Sequence, residues 1–263
     1  MYPLEKFYPE EFDPKRYWDD RYAQEHAVGK SSDEFKKQEF WPLLEKYFSK
    51  EKLYLDAGCG VGGWIIFLKE QGYNIEGIDV AARTLRALSE YDQDLKVKMA
   101  PMTAIPYANE SLDGILSIGT LEYVQDAVGA ALAEVNRVLV KGGIFFIEVP
   151  IANPLRRMIY IPLKKLEKII KVARGLKPTF SNYLFYKKEF LDQLERSGFD
   201  VIEARPHELP DANSHYGLYV DYPFLRSKNP YQLNWLGRVI KSVANFISPW
   251  IVSTGMVVIV KKN

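Results

Sequence analysis

The sequence predicts an α/β fold on a largely parallel sheet, and three observations predict it. Between Lys52 and Val149, short apolar runs alternate with segments patterned at helical spacing, as β–α–β units require. The first of those runs passes directly into a glycine cluster, Gly58–Gly63, that opens a helix. At 263 residues, 47% hydrophobic and 26% charged, the chain can bury one sizeable core and carry elaborations on it.

The elements follow in order. Leu53–Ala57 is a short strand, and Trp64–Gln71 a helix stopped by Gly72. Asn74–Val80 is the second strand and Ala81–Tyr91 the next helix. Leu95–Met99 and Leu112–Ile118 are strands three and four. Asp126 is placed to cap a helix in which Val128, Ala131, Leu132, Val135 and Leu139 recur at helical spacing. Lys141-Gly142-Gly143 ends that helix, and Ile144–Val149 is strand five. After Pro150 the alternation breaks. Pro162 suits the first turn of a helix whose apolar stripe is Leu163, Leu166, Ile169, Ile170 and Ala173. Lys187–Ser197 is another helix and Phe199–Ala204 a sixth strand. Arg205–Asn229 reads as loop. Leu233, Leu236, Ile240, Val243, Ile247 and Trp250 trace one helical face up to Pro249, and Met256–Lys261 is a closing strand.

Composition narrows the chemistry. The lone Cys59 excludes an internal disulfide and a multi-cysteine metal centre, and His26, His207 and His215 lack paired ligand spacing, so no metal is expected. No apolar run reaches bilayer-spanning length and no signal peptide is visible, which predicts a cytoplasmic protein. Net charge is +1, yet Leu155–Lys177 sums to +7 and Tyr222–Asn263 to +6. Near-neutrality and the lack of a recognition module argue against nucleic acid.

The chemistry centres on Asp56-Ala-Gly58-Cys59-Gly60-Val-Gly62-Gly63-Trp64. Glycines there let the backbone turn tightly and approach a ligand, and the following helix start offers N–H groups and a positive dipole end. Gly58, Gly60 and Gly63 also satisfy G-x-G-x-x-G, so the segment alone admits a dinucleotide enzyme. Asp79 ends the second strand 21 residues past Gly58, where a carboxylate can accept from both hydroxyls of a ribose. Loop and carboxylate together indicate an adenosine-type ligand.

The sequence resembles the class I S-adenosylmethionine-dependent methyltransferases, in the branch of ubiquinone- and biotin-pathway enzymes. The likeness is carried in order by Leu55-Asp56-Ala-Gly-Cys-Gly-Val-Gly62, Gly77-Ile-Asp79-Val80, Ile105-Pro106 through Asp113, Leu121-Glu122-Tyr123-Val124 and Glu134-Val-Asn-Arg137 through Gly143. It continues more weakly through Lys188-Glu189-Phe190 and Ser197-Gly198-Phe199, and upstream Tyr17–Tyr22 looks like the family's leading helix. The resemblance implies a Rossmann-like three-layer α/β/α sandwich whose seven-stranded, mostly parallel sheet has an antiparallel last strand. It implies one domain over 1–263, with a helical lead-in at 1–48 and helical lid insertions at 151–186 and 205–254. It implies S-adenosylmethionine as cofactor. The Gly58–Gly62 backbone, Cys59 and Gly60 included, would meet the methionine moiety with Asp56 nearby, and Asp79 with Val80 the ribose. Gly119 would approach the sulfonium, and Leu121 and Glu122 would line the site. Pro101 stands where many relatives carry an adenine-binding Asp, so adenine is expected on the Met102 and Thr103 backbone.

The expected activity is methyl transfer, at oxygen, to a small or lipid- or sugar-linked acceptor. The rivals are a nicotinamide-dependent oxidoreductase and a non-catalytic S-adenosylmethionine-binding subunit. A hydroxyl acceptor benefits from a general base, for which His207, His215, Glu148 and Asp211 are the candidates. Three readings of the basic segments stay open: amphipathic helices packed on the core, a phosphate-bearing acceptor, or peripheral contact with an anionic membrane. No obligate protein partner is evident.

Overall fold

The computed structural model describes residues 1–8, 35–38, 41–208, 218–229 and 232–263. Its elements are β1 (Tyr2–Tyr8), α1 (Trp41–Tyr47), β2 (Leu53–Ala57), α2 (Gly63–Glu70), β3 (Asn74–Asp79), α3 (Ala82–Tyr91), β4 (Val97–Met99) and β5 (Leu112–Ile118). Then come α4 (Val128–Val138), β6 (Leu139–Pro150), α5 (Ile161–Ala173), β7 (Lys177–Leu184), α6 (Lys187–Arg196) and β8 (Phe199–His207). The short α7 (Leu218–Asp221), α8 (Trp235–Ile247) and β9 (Gly255–Lys262) complete the chain.

The main sheet has seven strands in the order β4-β3-β2-β5-β6-β9-β8, mostly parallel with one antiparallel strand. Central β2 pairs in parallel with β3 on one side and β5 on the other. The chain therefore reverses its direction of travel across the sheet at β2, and ligands of open α/β sheets sit outside the strand ends at such a point. The expected Rossmann-like sheet is the one found.

The chain divides into two compact units. The first holds the described residues within 12–147, 194–202 and 259–263. Its core strands are apolar because both faces of a parallel sheet are covered: Leu55, Ala57, Ile78, Ile115 and Leu116 are all buried. Tyr54 stacks on Phe48 at 3.9 Å between ring centres while its hydroxyl accepts the Ser49 N–H at 2.7 Å. The family-like motifs hold this unit together. Arg137 donates to Glu134 and to the carbonyls of Ile105 and Tyr107, and Glu134 accepts the Ile105 N–H at 2.9 Å, so one turn of α4 clamps the Ile105–Asn109 loop. Asn136 donates to the carbonyls of Ser197 and Gly198, and Asp113 accepts the Leu53 N–H at 3.0 Å.

The second unit holds the described residues within 1–11, 148–193 and 203–258. Its β1 and β7 form a separate antiparallel pair, Tyr2 facing Leu184 and Tyr8 facing Lys177. Its centre is a buried ion pair. Arg156 Nε donates to Asp221 Oδ2 at 2.6 Å, its NH2 donates to Oδ1 at 3.1 Å, and its NH1 donates to the carbonyls of Ile151 and Thr254. One guanidinium thus closes three chain segments on each other.

Four expectations change. Asp126 does not cap α4: Ala127 occupies the N-cap, and Asp126 takes a left-handed φ of 54° in the preceding turn. That helix stops at Val138 and β6 begins at once, with Gly142 (φ 76°) inside the strand rather than ending the helix. Pro162 stands in the first turn of α5, as expected. A π-helical turn, Arg156–Tyr160, precedes α5 with its N-cap already helical, and such a widened turn accommodates a proline that has no N–H to give. The apolar stripe of α5 is not packed inward, Leu163, Leu166, Ile169 and Ile170 being exposed, and that of α8 is divided: Val243 and Ile247 are exposed while Leu233 and Ile240 pack against a buried cluster. The lead-in begins with a strand, and the expected Tyr17–Tyr22 helix lies outside the described residues.

Candidate active site

The carboxyl ends of β2, β3 and β5 build the site, all within the first unit. Parallel pairing sets Asp56 opposite Gly77 and Ala57 opposite Ile78, so the glycine loop and Asp79 emerge side by side. The Gly58 and Cys59 N–H groups both donate to the Ile78 carbonyl, at 2.8 and 3.0 Å. The loop is then stapled to Asp79 itself: Gly60 N–H donates to Oδ2 at 2.9 Å and Ala81 N–H to Oδ1 at 2.8 Å. A carboxylate oxygen can accept more than one hydrogen bond, so each retains acceptor capacity after this. Held by two backbone donors, the group is oriented before any ligand arrives.

The glycines have separate reasons. Gly58 (φ 91°) lies against Thr120, where an added Cβ would come within 2.2 Å of that side chain, and Thr120 Oγ1 donates back to the Gly58 carbonyl at 3.3 Å. Gly62 (φ 78°) would meet Leu88 at 2.4 Å. Thr120 follows the motif Gly119, and no local pattern announced it. Its role appears only once β5 stands beside β2.

Electrostatics single out Asp56. Burial first, and the neighbouring Asp79 second, push its carboxyl up to about 7. Burial, then Asp56 and Asp79, push the Cys59 thiol up as well, leaving it neutral. A buried acidic pair at the strand ends favours a cationic group. The Met102 side chain is buried, with Ser117 Oγ donating to its sulfur at 3.9 Å, while Val80 is exposed beside Asp79. Leu121 and Glu122, in a short 3-10 turn just past Gly119, are buried.

The first unit thus brings together Asp56, Gly58, Cys59, Gly60, Gly62 and Asp79, with Gly119–Glu122 following the adjacent strand. The candidate bases belong to the second unit. Glu148 and His207 are buried around Gly255, whose ideal Cβ would lie 3.1 Å from Glu148 Oε1 and 3.2 Å from the His207 carbonyl. His207 ends β8 instead of lying in a loop. His215 and Asp211 lie outside the described residues.

Residues 55–147 match the family described as Methyltransferase domain, the stretch that carries every one of these strand ends. This region is a class I S-adenosylmethionine-dependent methyltransferase domain. Its methyl donor is S-adenosylmethionine. An uncharacterised protein of Methanocaldococcus jannaschii is 26% identical over 249 residues, covering 88% of this chain and 91% of that protein. A sterol 4-C-methyltransferase of Caenorhabditis elegans is 25% identical over 112 residues, 40% of this chain and 33% of that one. The crystal structure of a methyltransferase from Methanosarcina mazei shares the fold, with a TM-score of 0.59 at 18% identity, over 84% of this chain and 97% of that chain. The residues fit the cofactor: a pre-oriented carboxylate suits a ribose diol, and a buried acid suits a cation.

Proposed function

We propose that this methyltransferase methylates a hydroxyl oxygen of a small or lipid- or sugar-linked acceptor. The observation that carries the cofactor half is the Asp79 carboxylate, fixed by Gly60 and Ala81 N–H groups at the end of β3, beside the strand where the sheet reverses direction. In this reading Asp79 accepts from the ribose hydroxyls, with Val80 alongside. Met102 and Thr103 border the adenine. The Gly58–Gly62 backbone, with Cys59, meets the methionine moiety, and Asp56 offers its charge to the cationic groups. Gly119, Leu121 and Glu122 line the reacting end.

When bound, the cofactor supplies a sulfonium-activated methyl group, so the protein needs chiefly to align an acceptor and exclude water. Glu148, His207 and His215 are the proposed proton acceptors for a hydroxyl. Residues 151–186 and 205–254 are proposed to be the lid elements that set acceptor choice. The partial likeness to a sterol methyltransferase supports a lipid-like acceptor. Placement is proposed as cytoplasmic, with peripheral contact at the inner face of the membrane.

The test is transfer of label from methyl-labelled S-adenosylmethionine to lipid extracts, nucleotide sugars and quinone precursors. The expected product is a labelled methyl ether that Asp79→Ala fails to make. A carbon-methylated product would replace the oxygen assignment. Label transferred equally well by Asp79→Ala would remove the ribose assignment.

A further inference from the structure

In the second unit, α5 turns its polarity inside out. Its lysine side faces the β1–β7 pair and its own first turns: Lys168 Nζ donates to Glu5 at 2.8 Å, and Lys171 stands over the Phe7 ring at 4.9 Å. Glu167 bridges Lys164 and Lys171 at 2.7 and 2.6 Å. The other side carries Leu163, Leu166, Ile169 and Ile170, all exposed, Ile169 at 67%. At about 100° per residue these four span an arc of roughly 120°. The buried residue of this helix is Ile161, at its start. A helix normally spends its apolar arc on its own core, and here the arc is left for another medium.

The border of the arc says which medium. Lys165 flanks it on one side, and Arg174, at the C-cap, flanks it on the other. Both are exposed, and among the described residues neither makes an ion pair. The surrounding segment, Leu155–Lys177, carries +7. A second copy of the chain would bring cationic border against cationic border. An anionic bilayer satisfies both features, taking apolar side chains into the acyl boundary and cations among its headgroups. At 13 residues α5 is about 20 Å long, short of the ~30 Å hydrocarbon core. Among the described residues no helix is long and apolar enough to cross a membrane. The helix therefore lies along a surface.

We infer that α5 is an interfacial helix, seating Leu163, Leu166, Ile169 and Ile170 in the headgroup layer of an anionic bilayer with Lys165 and Arg174 on its phosphates. This deepens the peripheral placement proposed above and rests on it.

The experiment is co-sedimentation of the full chain with vesicles of equal parts phosphatidylglycerol and phosphatidylcholine, and with phosphatidylcholine alone. Binding is expected only to the anionic vesicles, weakening with added salt. The paired change Leu166→Ser with Ile169→Ser should weaken it about tenfold or more, and Lys165→Gln with Arg174→Gln also about tenfold or more. All four positions are exposed, so circular dichroism and S-adenosylmethionine affinity should stay at wild-type values. If the serine variant binds vesicles as the wild type does, the α5 assignment falls while peripheral contact stands. If the wild type ignores anionic vesicles, both fall. A dimer by sedimentation velocity that the serine pair abolishes would make this face a self-association surface and overturn the inference. Loss of cofactor binding in the wild type would instead strike the methyl-transfer reading alone.

Discussion

Replacing Asp79 with alanine removes four hydrogen-bonding opportunities at once. Two are visible: the Gly60 and Ala81 N–H groups lose their acceptors. Two more are those proposed for the ribose hydroxyls. A hydrogen bond to a charged group contributes about 1.5–3 kcal/mol net. Losing even one on the ligand side costs about 1.5 kcal/mol, and about 1.4 kcal/mol is tenfold in Kd. Affinity for S-adenosylmethionine and S-adenosylhomocysteine should therefore fall at least about tenfold, measured by titration calorimetry. A sharper comparison uses S-adenosylhomocysteine and its 2′-deoxy analogue. The wild type should prefer the ribo form, and Asp79→Ala should scarcely discriminate. Asp79→Asn, which keeps volume and one acceptor, should fall between. Should Asp79→Ala retain wild-type preference for the ribo form while binding weakly, the loss would come from a loosened loop, and the ribose assignment would be refuted.

Asp56 gives a pH dependence of definite sign. Its carboxyl is raised to about 7 by burial and by Asp79, so in the ligand-free protein ionising it is unfavourable below that pH. A cationic ligand favours the ionised form, so cofactor affinity should tighten as pH rises through about 7, with a proton released on binding. Calorimetry in buffers of differing ionisation enthalpy reads that proton, and Asp56→Asn should abolish its release. For the apo protein the same shift makes stability fall, not rise, as pH climbs from the ordinary carboxylate range towards 7. Asp221→Ala leaves the Arg156 guanidinium buried without its carboxylate and should cost about 3–5 kcal/mol in a denaturant melt; a loss under 1 kcal/mol would mean water reaches the pair. Gly58→Ala puts a Cβ 2.2 Å from Thr120 at a φ of 91° and should lower both melting temperature and cofactor affinity. The pairing Gly58→Ala with Thr120→Gly, which removes every crowding side-chain atom, would separate crowding from backbone strain if it recovers affinity.

The core was legible because its signals are local. Leu53–Ala57 runs into glycines, and Asp79 follows at a spacing that fits the end of an adjacent parallel strand. The sheet then places them within hydrogen-bonding distance. What sequence could not show was partnership across distance. The β1–β7 pair joins segments far apart in the chain, and a register shift between Leu4 and Glu5 breaks the two-residue alternation that would have announced β1. Thr120 carries no motif of its own. Helical periodicity found the apolar arc of α5 but not its direction, and for α8 it joined Leu233 and Ile240, which pack inward, to Val243 and Ile247, which do not, because spacing defines a face and tertiary packing decides what it meets. In α8 the buried side is Gly237 and Ala244, while Trp235, Val239, Val243 and Phe246, the last 93% exposed, look outward. Asp126 failed as a cap because a left-handed residue cannot present its side chain to the first turn as an extended N-cap does.

One turn of α4 fastens two remote pieces of backbone: Glu134 and Arg137 grip the loop after β4, and Asn136 grips the Ser197–Gly198 turn before β8. These fastenings use backbone carbonyls and an N–H, which every amino acid but proline possesses. The loops themselves are thus free to change side chains over evolutionary time while their paths stay fixed. Such a spindle lets a lineage explore new acceptors at its periphery without retuning the machinery that grips the donor.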